Sequence, residues 1–205
     1  DFTQSTWGKQ SGGVASAPVV TSNYSISPAG TLNADRIIFN IEGGSTSSDF
    51  SQITDPVTVS GGDVSNSVYI KSNTTANYTM SLVKPDGNFT TILVTTEWQR
   101  FVVNASAPSA SVAFRLRLRG SESTSDFADV SVWGAQLEEG SFASSYIPTS
   151  GSATTRSEDN AYQQNVTQVI GQSEGTMFIE FIPKDLSTLQ ILYQAKSSSG
   201  VVGQI

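Results

Sequence analysis

From Val14 to Glu139, apolar and polar residues alternate in short runs separated by glycine, proline, asparagine and aspartate. A period of two sends successive side chains to opposite faces of a strand, so each run predicts a strand with one face buried. The runs are Val14 to Ser27, Ala34 to Ile41, Phe50 to Val59, Val68 to Lys71, Asn77 to Lys84, Phe89 to Thr95, Trp98 to Val103 and Ser111 to Arg119, closed by Val130 to Leu137. Pro56 cannot donate to a ladder, which predicts an interrupted, edge-type strand there. Pro85-Asp86-Gly87-Asn88 is a hairpin turn signal, and Gly134 marks a bulge or a close backbone approach. Residues 1 to 13 read as a lead-in anchored by Phe2 and Trp7, with Ser11-Gly12-Gly13 as a flexible turn. Evenly spaced short strands with almost no helical period predict an all-β sandwich.

After Glu139 the alternation stops. Gly140, Ser141, Ser144, Ser145, Pro148 and Gly151 prevent a regular element, while Phe142, Tyr146 and Ile147 still need burial. This predicts an extended arm pinned by three apolar anchors, on the sandwich or on a neighbouring chain, each worth on the order of 1.5 to 3 kcal/mol when buried. Residues 159 to 174 read as a polar linker. Gly175 to Pro183 and Leu189 to Ala195 then read as two strands, too few to bury a core by themselves and therefore the start of a second β domain over 175 to 205.

The stretch WGAQLEEGSFASSYIPTSGSATTRSED, Trp133 to Asp159, resembles the end of a β-sandwich module that recurs in phage tail-fibre and head-spike proteins. That module is similar in turn to the carbohydrate-binding jelly rolls appended to bacterial glycosidases. Asp1-Phe2 to Trp7 with Lys9, Ser67-Val68-Tyr69-Ile70-Lys71 and Trp98-Gln99-Arg100 follow the same pattern upstream, so the resemblance spans residues 1 to 158. It implies a jelly roll in a virion-surface fibre or spike, a homotrimeric assembly with other virion proteins as partners, and a following sandwich of the concanavalin-like kind. It also implies that Asp1 opens a fragment of a longer polypeptide. Related sugar-binding jelly rolls hold a structural calcium between the first segment and an acid at the start of the last strand. Asp129 stands where that acid would be.

Composition narrows the chemistry. The 205 residues carry a net charge of −7, which argues against nucleic acid or an anionic membrane as a partner. No apolar run is long enough to cross a bilayer as a helix. Cysteine and histidine are both absent, so disulfides, thiolate or imidazole metal sites and histidine-based triads are excluded.

The chemistry that remains sits on strand faces. In Ser111 to Arg119, Val112, Phe114, Leu116 and Leu118 share one face, and Arg115, Arg117 and Arg119 share the other. Such a stripe serves either structural pairing with Asp or Glu, or recognition of an anion or sugar by arginine's planar fork. The same alternation turns Tyr69, Lys71, Trp98 and Arg100 outward. The expectation is therefore one outward patch of Tyr69, Trp98, Arg100, Arg115 and Arg117 that meets a host-cell glycan, with Trp98 either platform or structural ring. Trp7 and Trp133 read as structural. Glu138 and Glu139 are adjacent in a strand and point to opposite faces, which does not make a glycosidase pair. Six Asn-X-Ser/Thr triplets, beginning at Asn23 and ending at Asn165, read as chance in a Ser/Thr-rich chain. Three roles stay open: a non-enzymatic glycan-binding module on the virion surface, a spacer or decoration module without ligand, and an accessory module of a depolymerase or glycosidase.

Overall fold

The computed structural model describes residues 1–107, 111–149 and 152–155, and the backbone of 194–197 and 200–204. The chain divides into two compact units, Asp1–Thr155 and Arg156–Ile205. The first contains β1 (Gly8–Gly12), β2 (Ser16–Ile26), β3 (Leu32–Asn40), β4 (Phe50–Thr58) and β5 (Gly62–Ser72). It continues with β6 (Tyr78–Val83), β7 (Phe89–Val94), β8 (Gln99–Ala107), β9 (Ser111–Arg119) and β10 (Phe127–Glu139). Sheet I has the order β1-β4-β9-β6-β7 and sheet II the order β2-β3-β10-β5-β8. Every pairing is antiparallel. From β3 onward the chain winds between the sheets, returning to the same one only at the β6–β7 hairpin. The eight strands β3 to β10 thereby form a jelly roll.

The core follows from the period-two pattern. β9 sends Phe114, Leu116 and Leu118 inward, where they cluster with Ile37 and Phe39 of β3, Val68 and Ile70 of β5, and Val130 and Val132 of β10 across the sandwich, while Val112 packs in a second cluster with Val59, Val64 and Ala107, all buried. The hairpin closes with Lys84 N–H donating to the Asn88 carbonyl (2.7 Å) and Gly87 N–H donating to the Lys84 carbonyl (2.9 Å). In β10 the register shifts between Trp133 and Gln136. Even-numbered residues face the core before that point; after it, Ala135 and Leu137 pack inward. One extra residue has reversed the faces, as a bulge does.

Three expectations need correcting. Residues 8–12 are not lead-in but edge strand β1, because they pair with residues 50–54 of β4. For the same reason β4 is flanked on both sides over that stretch, not an edge strand. At Pro56, past the pairing of Gly8 with Thr54, β4 is an edge as expected, but the ladder to β9 runs on through Pro56 opposite Ala113 and is not interrupted. Gly13 is no flexible turn either. Its φ is +61°, a Cβ would fall 2.1 Å from Asp49 Oδ1, and that carboxylate accepts the Val14 N–H (3.2 Å).

In the second unit, β11 (Gln194–Ser197) and β12 (Gly200–Gln204) form an antiparallel pair. The expected linker over 159–174, the strand Gly175 to Pro183, most of the strand Leu189 to Ala195, Asn165, and with them the concanavalin-like character of this unit lie outside the described residues.

Candidate functional site

The structure separates the five residues expected to form one patch. The expected outward residues do share a parity within their own strands, but β5 and β8 belong to sheet II and β9 to sheet I. Arg115 and Arg117 therefore lie on the opposite outer face from Tyr69 and Arg100, with the core between them. A period of two fixes which residues share a face of one strand and is silent about which sheet that strand joins. Arg117 also has a structural partner. Its Nε and Nη2 donate to the two Glu122 carboxylate oxygens at 2.8 and 2.6 Å, and both side chains are buried. Arg119 donates to Glu122 and to the Ser47 carbonyl. The acid comes from the loop after β9, not from a cross-strand neighbour.

On sheet II, Tyr69 and Arg100 stand directly opposite each other, with the guanidinium 5.5 Å from the ring centroid. Arg100 Nη2 donates to Ser67 Oγ (2.9 Å) and to the Ser144 carbonyl (2.6 Å), so it clamps the arm. Trp98 is half-buried, its indole N–H donates to the Ile26 carbonyl (3.2 Å) and Lys71 Nζ lies 5.3 Å from its ring. Tyr69 and Arg100 are thus brought together; Trp98 is tied to the end of β2.

The arm after β10 covers part of this face. Glu138 accepts the Ser144 N–H (3.0 Å) and hydroxyl (2.6 Å), and Gln136 Oε1 accepts the Ile147 N–H (2.7 Å). Asn104 Nδ2 donates to the Ser141 carbonyl (2.8 Å). Polar latches thus join the apolar anchors in holding the segment: Tyr146 and Ile147 are half-buried, whereas Phe142 remains 43% exposed. Glu139 accepts the Ser60 N–H (2.5 Å), so Glu138 and Glu139 both serve local structure.

The arm places Tyr146 against Trp133, with ring centroids 4.4 Å apart, and Trp133 in turn lies 5.4 Å from Tyr69. The three rings form a row over Gly134. A Cβ on that glycine would come within 3.2 Å of Tyr146 Cδ2 and 3.4 Å of Tyr69 Cδ2, and φ is +63°. The bulge glycine thus provides both the turn and the room. Burial raises the Tyr146 phenol above its ordinary pKa.

Beside Trp133 and Tyr146 opens a cleft of about 170 Å³, whose other walls include Asp1, Asn23, Asn33 and Asp35. Asp35 builds it: one carboxylate oxygen accepts the Phe2 N–H (2.6 Å) and the other the Asn23 N–H (2.9 Å). That ties the chain's opening segment to the kink in β2, where Asn23 has φ 51°. The Trp133 indole N–H, the Tyr146 hydroxyl and the side-chain amides of Asn23 and Asn33 have no hydrogen-bond partner among the described residues. Flat rings beside free amide and hydroxyl groups suit a ligand with apolar C–H faces and many hydroxyls. The sequence pattern alone makes Trp133 a structural ring and Tyr146 an anchor. The available signal was Trp133's outward parity, opposite Val130 and Val132.

Asp129 is occupied otherwise than by a metal. Arg36 donates to it through Nε (2.8 Å) and Nη2 (2.5 Å), and Asn73 Nδ2 adds a third bond (2.9 Å). Hydrogen bonding to Arg36 holds the carboxyl below the usual range, against the opposing effect of burial. A cation would have to displace the guanidinium. Among the described residues no three acids converge elsewhere, so the expected structural calcium does not fit this donor set.

No protein-family model matches the chain, and no curated protein matches it. Similar solved structures include TmCBM61 in complex with β-1,4-galactotriose, at TM-score 0.42 and 14% identity over 65% of this chain and 88% of that one. The family 11 carbohydrate-binding module from Clostridium thermocellum, in complex with a β-1,3-1,4-mixed-linked tetrasaccharide, has TM-score 0.40 and 12% identity over 63% and 88%. The enzymatically active domain of bacteriophage CBA120 tailspike protein 4 has TM-score 0.38 and 11% identity over 65% of this chain and 19% of that one.

Proposed function

We propose that the jelly roll is a non-enzymatic glycan-binding module, and that its cleft beside Trp133 and Tyr146 takes one sugar residue of a larger glycan. The observation that carries this is the ring row ending in a polar cleft whose indole N–H, phenol and two amides have no partner among the described residues. The sequence resemblance to tail-fibre and head-spike modules supports a setting on the virion surface, with a host-cell glycan as ligand, other virion proteins as partners and a homotrimer as the assembly. An accessory module of a depolymerase or glycosidase would use the same cleft in the same way.

A glycan array probed in parallel with the wild-type chain and with Trp133→Ala tests the reading. Wild type should retain a subset of glycans, and the variant should lose about 1 to 3 kcal/mol of affinity for them, the scale for removing a central aromatic anchor. Equal binding by both proteins contradicts the site. Wild-type binding to no glycan leaves the ligand-free spacer as the better account. For the assembly, sedimentation of the full-length protein as a monomer contradicts the trimer.

A further inference from the structure

The outer face of sheet I carries a groove of about 300 Å³ that is independent of the sheet II cleft. We infer that it is a second binding site, selective for the carboxylate of an acidic sugar, with Arg115 as its recognition group. Arg115 differs from the other arginines of β9. Arg117 and Arg119 both pair with Glu122, whereas the cross-strand neighbours of Arg115 are Thr54 and Val83. Its guanidinium has no hydrogen bond, ion pair or ring contact among the described residues, although the residue is only partly exposed. It is the one charged side chain in the groove's lining.

A half-desolvated cation that faces a cavity instead of an acid is complementary to an incoming anion. A carboxylate can take two parallel N–H bonds from the fork of a single arginine.

The remaining lining argues for a sugar rather than a small anion. Gln52 Nε2 donates to Gln10 Oε1 at 2.7 Å, which leaves the Gln10 amide as donor and the Gln52 carbonyl as acceptor. Thr54, Ser5 and Thr6 add hydroxyls, and Gly8, paired with Thr54, puts no side chain into the groove. One planar anion site beside donors and acceptors in a space much larger than a carboxylate matches a hexuronate within an oligosaccharide.

The test is a titration of the isotope-labelled 205-residue chain, followed by NMR, with three probes: a hexuronate oligosaccharide, its carboxyl-reduced neutral counterpart, and inorganic phosphate. The hexuronate should move the Arg115 Nε–H signal and the backbone amides of Gly8, Gln10, Gln52 and Thr54. Arg115→Gln should weaken this binding at least about tenfold, and Arg115→Lys, which keeps the charge and loses the fork, should restore only part of it. Trp133→Ala should leave these shifts unchanged, which separates this site from the sheet II cleft. Retention of the shifts in a folded Arg115→Gln variant overturns the inference. So does equal binding of the neutral counterpart or of phosphate, or the absence of any shift at these residues with the hexuronate.

Discussion

Gly134 shows how much one backbone position controls. Its φ of +63° and the 3.2 Å approach of Tyr146 mean that a methyl group there meets both conformational and steric resistance. Gly134→Ala should cost about 1 to 2 kcal/mol from the left-handed backbone alone, read by chemical denaturation, and should also displace Tyr146 from Trp133. The glycine was legible as a bulge; the rings it admits were not, because nothing local says that residue 146 folds back onto residue 134. Glu122 makes a similar point. Glu122→Ala leaves Arg117 buried without its acid, and the expected loss is about 3 to 5 kcal/mol in an unfolding titration. Asp129 supplies a pH signature. Its carboxyl is held below the usual range by Arg36, so the folded state binds fewer protons than the unfolded chain near the ordinary carboxylate pKa of about 3.9. The resulting stability is present above that pH and is lost as pH falls through the lowered value. Asp129→Asn should therefore reduce stability at neutral pH by about 1 to 2 kcal/mol, given the partly exposed Arg36, with the gap to wild type closing in acid. Thermal melts across pH check this; a gap that stays constant would mean the ion pair is not its source.

At the scale of elements, the strands were readable and their partners were not. Val112, Phe114, Leu116 and Leu118 announce a buried face in the sequence and occupy it in the structure. The arginines opposite them were equally visible as a stripe, but their division into two paired with Glu122 and one facing a groove depends on a loop residue and on neighbours in β4 and β6. The arm is the element where sequence logic missed most. Three apolar residues suggested hydrophobic docking, yet Glu138, Gln136, Asn104 and Arg100 hold its backbone by directed bonds. Such bonds are about 1 kcal/mol each and more when charged, enough together to order a short segment. Glu138→Ala should raise hydrogen exchange at the Ser144 and Ile147 amides while β5 and β10 keep their protection. Unchanged exchange at those two amides would show that the latch lies elsewhere.

The whole first unit is a jelly roll by its strand order, and that order explains why the expected glycan patch had to be redrawn. Winding alternate strands into opposite sheets puts Arg115 and Tyr69 on two outer faces, so one patch becomes two candidate sites. The cleft depends on segments far apart in sequence: the opening residues held by Asp35, the β2 kink at Asn23, the bulge at Gly134 and the arm carrying Tyr146. No short-range pattern encodes that convergence; only the closed sandwich brings these four segments together. The most direct check on the central claim uses the three tryptophans, whose indole N–H signals are separable by NMR. Trp7 packs against Phe2 and Phe114 in the core and Trp98 is bonded to Ile26, so only Trp133 presents an unpartnered indole to the cleft. Titration with array-selected glycan should shift the Trp133 indole signal and leave the Trp7 and Trp98 signals in place. A glycan that binds while the Trp133 signal stays fixed, or that moves the Trp98 signal instead, would contradict the account.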